Sequence, residues 1–479
     1  MTSLAFNMTD IKQQTIRQKT LVFGLGLTGY SCVCHLVNQG YDVVVFDTRE
    51  APPYLEKVYC EYPQVEVYLG EPNTTFLDDV NQVVVSPGVS LSFPLLVSAK
   101  QKGIEIVGDI QLFSNQAKAP IIAITGSNGK TTTTSLVAEM FRAAGKSVNV
   151  GGNIGIPVLN LLEEPTPDFY LLELSSFQLE TTSHLKAEVS VVLNISEDHM
   201  DRYANVDEYA NSKLAVYSQA YHQIVNLDDA WLTTHVKTTE KTIGFTQHRP
   251  AKNQYGLITE SGEQWLAYGD ERICKASDVK LKGRHQLSNA LVALAIGDLC
   301  ELSRGVMSQV LKEFGGLAHR TQTVATIDGV TYINDSKGTN IGATLAAITG
   351  IDAPIVLIAG GESKGADFSD FGHAIVEHVK HVILMGNDAD IIESGIHGLI
   401  PTTKTASLNE AVRLAADLSI DGDCVLLSPA CASFDMFENY QHRGDAFISE
   451  VKALSAIKTS EIETAETKTS ETKASVSKS

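Results

Sequence analysis

The chain has 479 residues, too many for one ordinary hydrophobic core, so two to four domains are expected. Its 43% hydrophobic and 20% charged residues are those of a globular protein, and no apolar run approaches the roughly 18 residues of a membrane helix. A formal net charge of −20 argues against broad binding to nucleic acid or anionic membrane, so any phosphate ligand must be held by local cations and backbone amides.

The opening stretch MTSLAFNMTDIKQQTIRQK has neither an apolar signal core nor a small-residue cleavage site, which reads as a cytoplasmic protein. The seven cysteines form no C-x-x-C pair and read as reduced, mostly buried thiols; Cys431, inside SPACAS, reads as a core thiol rather than a nucleophile.

From Thr20 to about Val107, short apolar runs (TLVFGLG, DVVVFD, QVVVSPG, GIEIVG) alternate with amphipathic stretches, the rhythm of βαβ units and a parallel sheet. The first run leads into G-x-G-x-x-G at Gly24, Gly26 and Gly29, and Asp47 ends the next strand. That is the dinucleotide fingerprint, a helix N-terminus for a pyrophosphate and a carboxylate for a ribose hydroxyl, and any nucleoside diphosphate could satisfy it. Ser86-Pro87-Gly88 closes a later strand, where open α/β sheets place ligands.

A second block opens with APIIAITGSNGKTTTT. Gly126, Ser127, Asn128, Gly129, Lys130, Thr131 and Thr132 lie between a buried strand and a helix, as a phosphate-cradling loop requires, yet Ile124 stands where the usual pattern has its first glycine. Lys130 would meet the β- and γ-phosphates and Thr131 would give its hydroxyl to Mg²⁺. Further strand runs, FYLLELS and VSVVLNIS, end on oxygen-rich segments. Glu173, Ser175 and Gln178 follow one, and Glu197, Asp198, His199 and Asp201 follow the other; a carboxylate at a strand tip beside a phosphate loop suits Mg²⁺. Lys213, on the next helical segment, reads as a surface residue when taken alone. The third block repeats strand ends that start helices: INDSKGTN, with Asp335, Lys337 and Thr339; IAGGESKGADF, with Lys364; and SPACASFDMF, with Ser433. Three such ends on one parallel sheet suit a small anionic substrate.

Taken together, GSNGKT, ELSSFQLE, NISEDHMDRY, INDSKGTN, GGESKGADF and SPACASFD, in this order, resemble the Mur ligase family, most closely its D-glutamate-adding branch. The likeness spans nearly the whole chain and accounts for the missing glycine. It implies that Gly26, Leu27, Thr28 and Gly29, with Asp47, Thr48, Arg49, Ser86 and Gly88, hold the uridine diphosphate end of UDP-N-acetylmuramoyl-L-alanine. ATP and two Mg²⁺ ions would fall to Gly126–Thr132 (Lys130 and Thr131 foremost), Glu173, Asn289, Arg320 and Asp335, with His199 and Lys213 as further metal ligands. By the same likeness Lys213 is carbamylated, which turns a cation into an oxygen-donor anion. Asn153, Ser175 and Gln178 would contact substrate, and Lys337, Thr339, Lys364, Ser433 and Tyr440 would bind D-glutamate. Two departures stand out: Gln286, where Asn is common, and Tyr440, where an apolar aromatic is common.

The expected fold class is α/β in three domains, each a largely parallel sheet with flanking helices. A Rossmann-like domain is expected over residues 1–110, a P-loop ATPase-like domain over 111–316, and a Rossmann-like domain over 317–457. Residues 458–479 are expected to form a disordered tail, and the whole chain a monomer. The implied activity is ATP-driven amide synthesis through an acyl phosphate; another ligase of the Mur or folylpolyglutamate type, a nucleotide-dependent switch, or a nicotinamide dehydrogenase for the first block are the rival readings.

Overall fold

Strands that are apolar on both faces can only be used where helices cover both sides, and that condition is met three times along this chain. The computed structural model describes residues 19–281 and 283–456; the expected tail from Lys458 and the N-terminal stretch lie outside the described residues. The described chain folds into two compact units. One holds residues 19–118, 151–166 and 177–185, and the other holds 119–150, 167–176 and 186–456. A cut at 110/111 does not anticipate that segments 111–118, 151–166 and 177–185 belong to the N-terminal unit.

That sheet has five parallel strands in the order Glu66–Leu69, Asp42–Asp47, Lys19–Phe23, Gln82–Val85, Glu105–Val107. The order reverses beside Lys19–Phe23, so the glycine turn after that strand and Ser86 after Gln82–Val85 meet at the switch point. There the Ser86 hydroxyl donates to the Gly24 carbonyl at 2.9 Å. The helix Leu27–Asn38 starts so close to the strand that a Cβ on Gly29 would lie 1.8 Å from the Gly24 carbonyl oxygen.

The second unit contains two sheets. The first has nine strands, with Ile121–Thr125 at its heart, flanked in parallel by Phe169–Glu173 and Val189–Val192. It continues through His222–Asn226 and Thr242–Phe245 to an antiparallel meander, Gln254–Glu260, Glu263–Tyr268 and Glu271–Lys275. The apolar runs of the sequence do not announce this meander, although Ser261-Gly262, both at positive φ, is a hairpin turn between Glu260 and Glu263. Helix Arg284–Leu299, buried along most of its length, packs on helix Lys130–Ala143.

The other sheet has six strands in the order Gln322–Ile327, Val330–Asn334, Cys424–Leu427, Ile355–Gly360, Val379–Met385, Thr402–Lys404, parallel except for the first pair. Alternation is strict along Ile355–Gly360: Ile355, Leu357 and Ala359 enter one apolar cluster, and Val356 and Ile358 the cluster on the opposite face. Its three central strands end side by side, at Asn334, Leu427 and Gly360. Among the described residues no helix is long and apolar enough to cross a membrane.

Replacing Gly29 with Ala should force the helix away from its strand and destabilise the N-terminal unit by about 1–3 kcal/mol. Urea denaturation followed by circular dichroism checks this, and an unchanged midpoint would remove the close-approach argument.

Candidate active site

The side chains expected to bind ligands form two groups, and these fall in different units. In the N-terminal unit, Gly26 caps helix Leu27–Asn38 without a side-chain cap, so Leu27, Thr28 and Gly29 form its first turn. Asp47 is 2% exposed and accepts four hydrogen bonds: from the Leu25 amide (2.7 Å), the Arg49 amide (2.9 Å), and Arg49 Nε (2.9 Å) and Nη2 (2.7 Å). Burial pushes the carboxyl up, but these bonds outweigh it and hold Asp47 below its ordinary value. Four acceptor positions are thereby filled from within the chain. The carboxylate steers the exposed Arg49, beside Thr48. Gln178, also buried, hydrogen-bonds Asp109, a carboxyl that burial raises to about 6. Gly88 and Asn153 lie in this unit as well, each just past a strand.

In the second unit the phosphate-type loop is braced from the neighbouring strand end. The Ser127 amide donates to the Asn194 carbonyl (2.9 Å), the Asn128 amide to Asn194 Oδ1 (2.9 Å), and the Ser196 amide to the Ser127 hydroxyl (2.9 Å). Ile124 belongs to the buried strand and pairs with Glu173, so it is not a loop residue at all. Gly126 (φ 149°) and Gly129 (φ 82°) make the turns, and Gly129 caps the helix that Lys130, Thr131 and Thr132 begin. A Cβ on Gly129 would meet Asn289 Oδ1 at 2.7 Å, and Asn289 in turn donates to Gln286 (3.0 Å). The Lys130 ammonium folds back onto its own loop, donating to the carbonyls of Gly126 (2.7 Å) and Ser127 (2.9 Å).

Around this loop the charges are concentrated and unequal. Lys130, Lys213, Arg320, Lys337 and Lys364 interact electrostatically with one another and with the carboxylates Glu173, Asp198 and Asp335, five cations against three anions. Burial, followed by repulsion from neighbouring cations, brings Lys337 down to about 8; burial lowers Lys130 and Arg320 as well. Lys213 is 1% exposed, with its Nζ 4.6 Å from the Tyr209 ring centre, and burial with repulsion from Lys130 pulls it well below a normal lysine. The bare reading of Lys213 as a surface lysine is therefore wrong.

Interactions between the two sheets of this unit pass through the same residues. Lys364 forms an ion pair with Asp198, and Asn340 donates to Asn128 Oδ1 (3.1 Å) and Asp198 Oδ2 (3.2 Å). Lys337 Nζ stands 4.2 Å from the Tyr440 ring centre. Asp335 accepts from the Thr321 amide (3.0 Å) and the Ser428 hydroxyl (2.7 Å), steadying the turn that carries Arg320. Ser175 and Thr339 are half-buried and Ser433 is buried. Strand, loop and helix follow one another directly only in the first of the three loops, where Asn340 caps helix Ile341–Thr349. After Gly360 and Leu427 the chain makes longer irregular turns before helix resumes, which corrects the common strand-to-helix geometry expected of all three.

Family models match three consecutive parts of the chain: the N-terminal domain of MurD-like Mur ligases over residues 18–108, the Mur ligase middle domain over 124–297, and the Mur ligase glutamate ligase domain over 319–431. The chain belongs to the Mur ligase family. It is 45% identical to the UDP-N-acetylmuramoylalanine--D-glutamate ligase of Nitrosococcus oceani over 92% of this chain and 98% of that one. To the enzyme of the same name from Pseudomonas aeruginosa it is 47% identical over 91% and 98%. A solved pseudomurein peptide ligase type C from Methanothermus fervidus shares the fold, with a TM-score of 0.56 at 17% identity, covering 86% of this chain and 96% of that one.

Within this Mur ligase, several contributors carry no local signal in the sequence. Asn194 and Ser196 brace the loop, Asn340 bridges the two sheets, and Arg443 is buried behind the C-terminal loops. Polar residues at alternate positions directly after a buried strand, Asn194 and Ser196 in LNIS, are the cue that could have found the first two. Among the described residues no three His, Cys, Asp or Glu side chains converge as a metal cage. Thr131 and Glu173 are hard oxygen donors flanking the loop, and such a sparse set fits Mg²⁺, which completes its shell with phosphate oxygens and water. The Lys213 ammonium fits no metal; only an oxygen-bearing derivative would.

His199 sits at φ 59°, with its Nε2 3.7 Å from Asp198 Oδ2, and burial lowers its pKa to about 4 against the pull of Asp198. An imidazole kept neutral in the fold but protonated in the unfolded chain makes stability fall as pH drops from about 6.5 to 4. His199→Gln should flatten that part of the stability–pH curve, measured by urea midpoints at half-unit intervals; parallel curves for both proteins would refute the assignment.

Proposed function

We propose that this Mur ligase joins D-glutamate to UDP-N-acetylmuramoyl-L-alanine with cleavage of ATP to ADP and phosphate, a step of peptidoglycan precursor synthesis in the cytoplasm. The observation that carries this reading is the single cation-rich cluster in which the phosphate loop, the Glu173 strand end and the C-terminal loops of Lys337 and Lys364 take part. A net positive, partly buried cluster suits the simultaneous presence of a nucleotide triphosphate, a carboxylate and a dicarboxylic amino acid.

In this reading the alanine carboxylate attacks the γ-phosphoryl group and ADP leaves. The amine of D-glutamate then attacks the acyl carbon, and phosphate departs. Lys130 exchanges its two loop carbonyls for β- and γ-phosphate oxygens, and the amides at the helix start bind the same anion. Asn289 and Gln286 lie toward the base of the nucleotide, while Arg320 and Asp335 approach the nucleotide from the other sheet. Thr131, Glu173 and His199 would hold Mg²⁺, which would supply charge neutralisation for the transferring group. The depressed pKa of Lys213 favours the free amine, the form that adds CO₂; a nitrogen–carbon bond forms as one carbon–oxygen π bond opens, the nitrogen loses one proton, and an anionic oxygen donor replaces a neutral amine. Lys364 trades Asp198 for a glutamate carboxylate, assisted by Lys337, Thr339, Ser433 and Tyr440. In the N-terminal unit, Arg49 and the first turn of helix Leu27–Asn38 take the diphosphate, with Thr48, Ser86, Gly88, Asn153 and Gln178 along the rest of the substrate. Ser175, two residues past Glu173, serves the reacting end. Each role is filled from one chain, so a monomer suffices.

ADP release measured against UDP-N-acetylmuramoyl-L-alanine and a panel of amino acids tests the reading. D-Glutamate should exceed L-glutamate and D-aspartate by about a hundredfold or more in kcat/KM, since unmatched polar groups in a built site reject analogues strongly. Hydrolysis indifferent to the amino acid would overturn it.

Lys213→Ala should lower turnover by about a hundredfold or more, as expected for the loss of a charged group beside the metal, and added short-chain carboxylates should restore part of it. Full activity without rescue would remove the carbamate role.

A further inference from the structure

Arg443 lies on the helical segment 440–456 and is 1% exposed, yet among the described residues no carboxylate pairs with it. Its donors go to the backbone and to one hydroxyl. Nε donates to Ser336 Oγ (3.0 Å) and Nη2 to the Ser336 carbonyl (2.8 Å). Nη1 and Nη2 each reach the Cys431 carbonyl (3.2 Å), and Nη1 also approaches the carbonyls of Ala432 (3.4 Å) and Gly360 (3.5 Å). These acceptors sit on the loops that follow strands Val330–Asn334 and Cys424–Leu427, and on Gly360, the last residue of strand Ile355–Gly360. Burying a charge with no carboxylate in direct contact is costly, Asp435 and Asp335 acting on it only through space, and the five donors of a guanidinium fork can reach two loops and a neighbouring strand end at once. Burial lowers the group to about 10, so it remains a cation at neutral pH.

Every loop it touches carries a residue assigned above to the amino-acid substrate. Lys337 follows Ser336, and Ser433 follows Ala432. Glu362, two residues before Lys364, pairs with Ala432 through hydrogen bonds of 3.0 and 2.8 Å. The Tyr440 carbonyl, one turn before Arg443, accepts from Ser336 Oγ at 2.9 Å. We infer that Arg443 is a positioning residue for the amino-acid substrate: it fixes the mutual spacing of Lys337, Lys364, Ser433 and Tyr440, and so sets the affinity for a dicarboxylic amino acid without touching it. The inference rests on the D-glutamate reading.

Steady-state kinetics of the full chain with Arg443→Lys, Arg443→Ala and Ser336→Ala test it. A general loss of structure would affect all three substrates, whereas loss of loop spacing should raise the KM for D-glutamate alone. In Arg443→Lys that KM should rise about tenfold or more, with the KM values for ATP and the UDP-linked substrate held within about twofold. Ser336→Ala, which keeps the guanidinium but removes one acceptor, should shift it in the same direction by less. Equal factors for all substrates, or an unchanged KM for D-glutamate, would overturn the inference. If the Arg443 variants do not fold, Ser336→Ala alone decides by the same criterion. Wild-type protein that forms no ADP in response to D-glutamate overturns the functional reading and this inference with it; wild-type turnover without the KM split overturns only the inference.

Discussion

The second unit is organised around an unfavourable quantity, an excess of half-buried positive charge. Lys130, Lys213, Arg320 and Lys337 all have depressed pKa values; burial lowers each, and repulsion from neighbouring cations adds to it for the three lysines. Repulsion of this kind destabilises the ligand-free fold, and the protein offsets it locally. The Lys130 ammonium is solvated by loop carbonyls, Lys364 is neutralised by Asp198, and Lys213 lies over the Tyr209 ring. Each of these partners can be exchanged. A phosphate, a carboxylate or a CO₂-derived anion would relieve the same repulsion more completely, so the cost in the free protein becomes attraction for ligands.

Aiming several cations at one point demands unusual backbone. His199 (φ 59°) and Lys364 (φ 54°) occupy the left-handed region, and Arg320 is flanked by His319 (φ 61°) and Thr321 (φ 46°). None of these is glycine, and for Thr321 the conformation is strained. The strain is held by named bonds: the Thr321 amide to Asp335 Oδ1, and the His319 amide to Gln322 Oε1 at 3.0 Å. Arg443 does for the carbonyl-rich C-terminal loops what Asn194 and Ser196 do for the phosphate loop. In both cases a polar group behind the site fixes backbone that has no ladder of its own.

How much of this is legible in the sequence follows from where the information lies. Strand ends are readable because a buried parallel strand is a short apolar run and its ligand loop begins where glycine or a polar cluster interrupts it, as at Gly24, Gly126 and Gly360. Lys213 is not readable alone, since one lysine on a helix signals a solvated face and its burial is set by segments distant in sequence. Asp47 is visible as a carboxylate that ends a strand, but spacing does not report that Arg49, two residues on, bonds it in the free protein. Positive-φ residues other than glycine leave no mark in composition, so the aim of His199 and Lys364 comes only from the structure. Nor does a contiguous reading see that segments 151–166 and 177–185 belong to the N-terminal unit.

The isoleucine that occupies the place of the expected glycine shows how these features connect. Ile124 is fully buried in its strand and pairs with both Glu173 and Val191, so the strand runs further before the loop begins. A shorter loop has fewer residues with which to brace itself, and its support comes from the end of the adjacent strand through Asn194 and Ser196. That same neighbour continues into Asp198 and His199, and Asn128 of the loop also bonds Asn340 of the other sheet. Loop, carboxylate cluster and C-terminal loops are therefore mechanically continuous. An anion that draws Lys130 off the Gly126 and Ser127 carbonyls acts on a loop whose next residue, Asn128, touches Asn340, which itself bonds the Asp198 that holds Lys364. Lys130 and Lys364 then stand at two ends of one chain of polar contacts, a continuity that a longer, self-supporting glycine loop would not require.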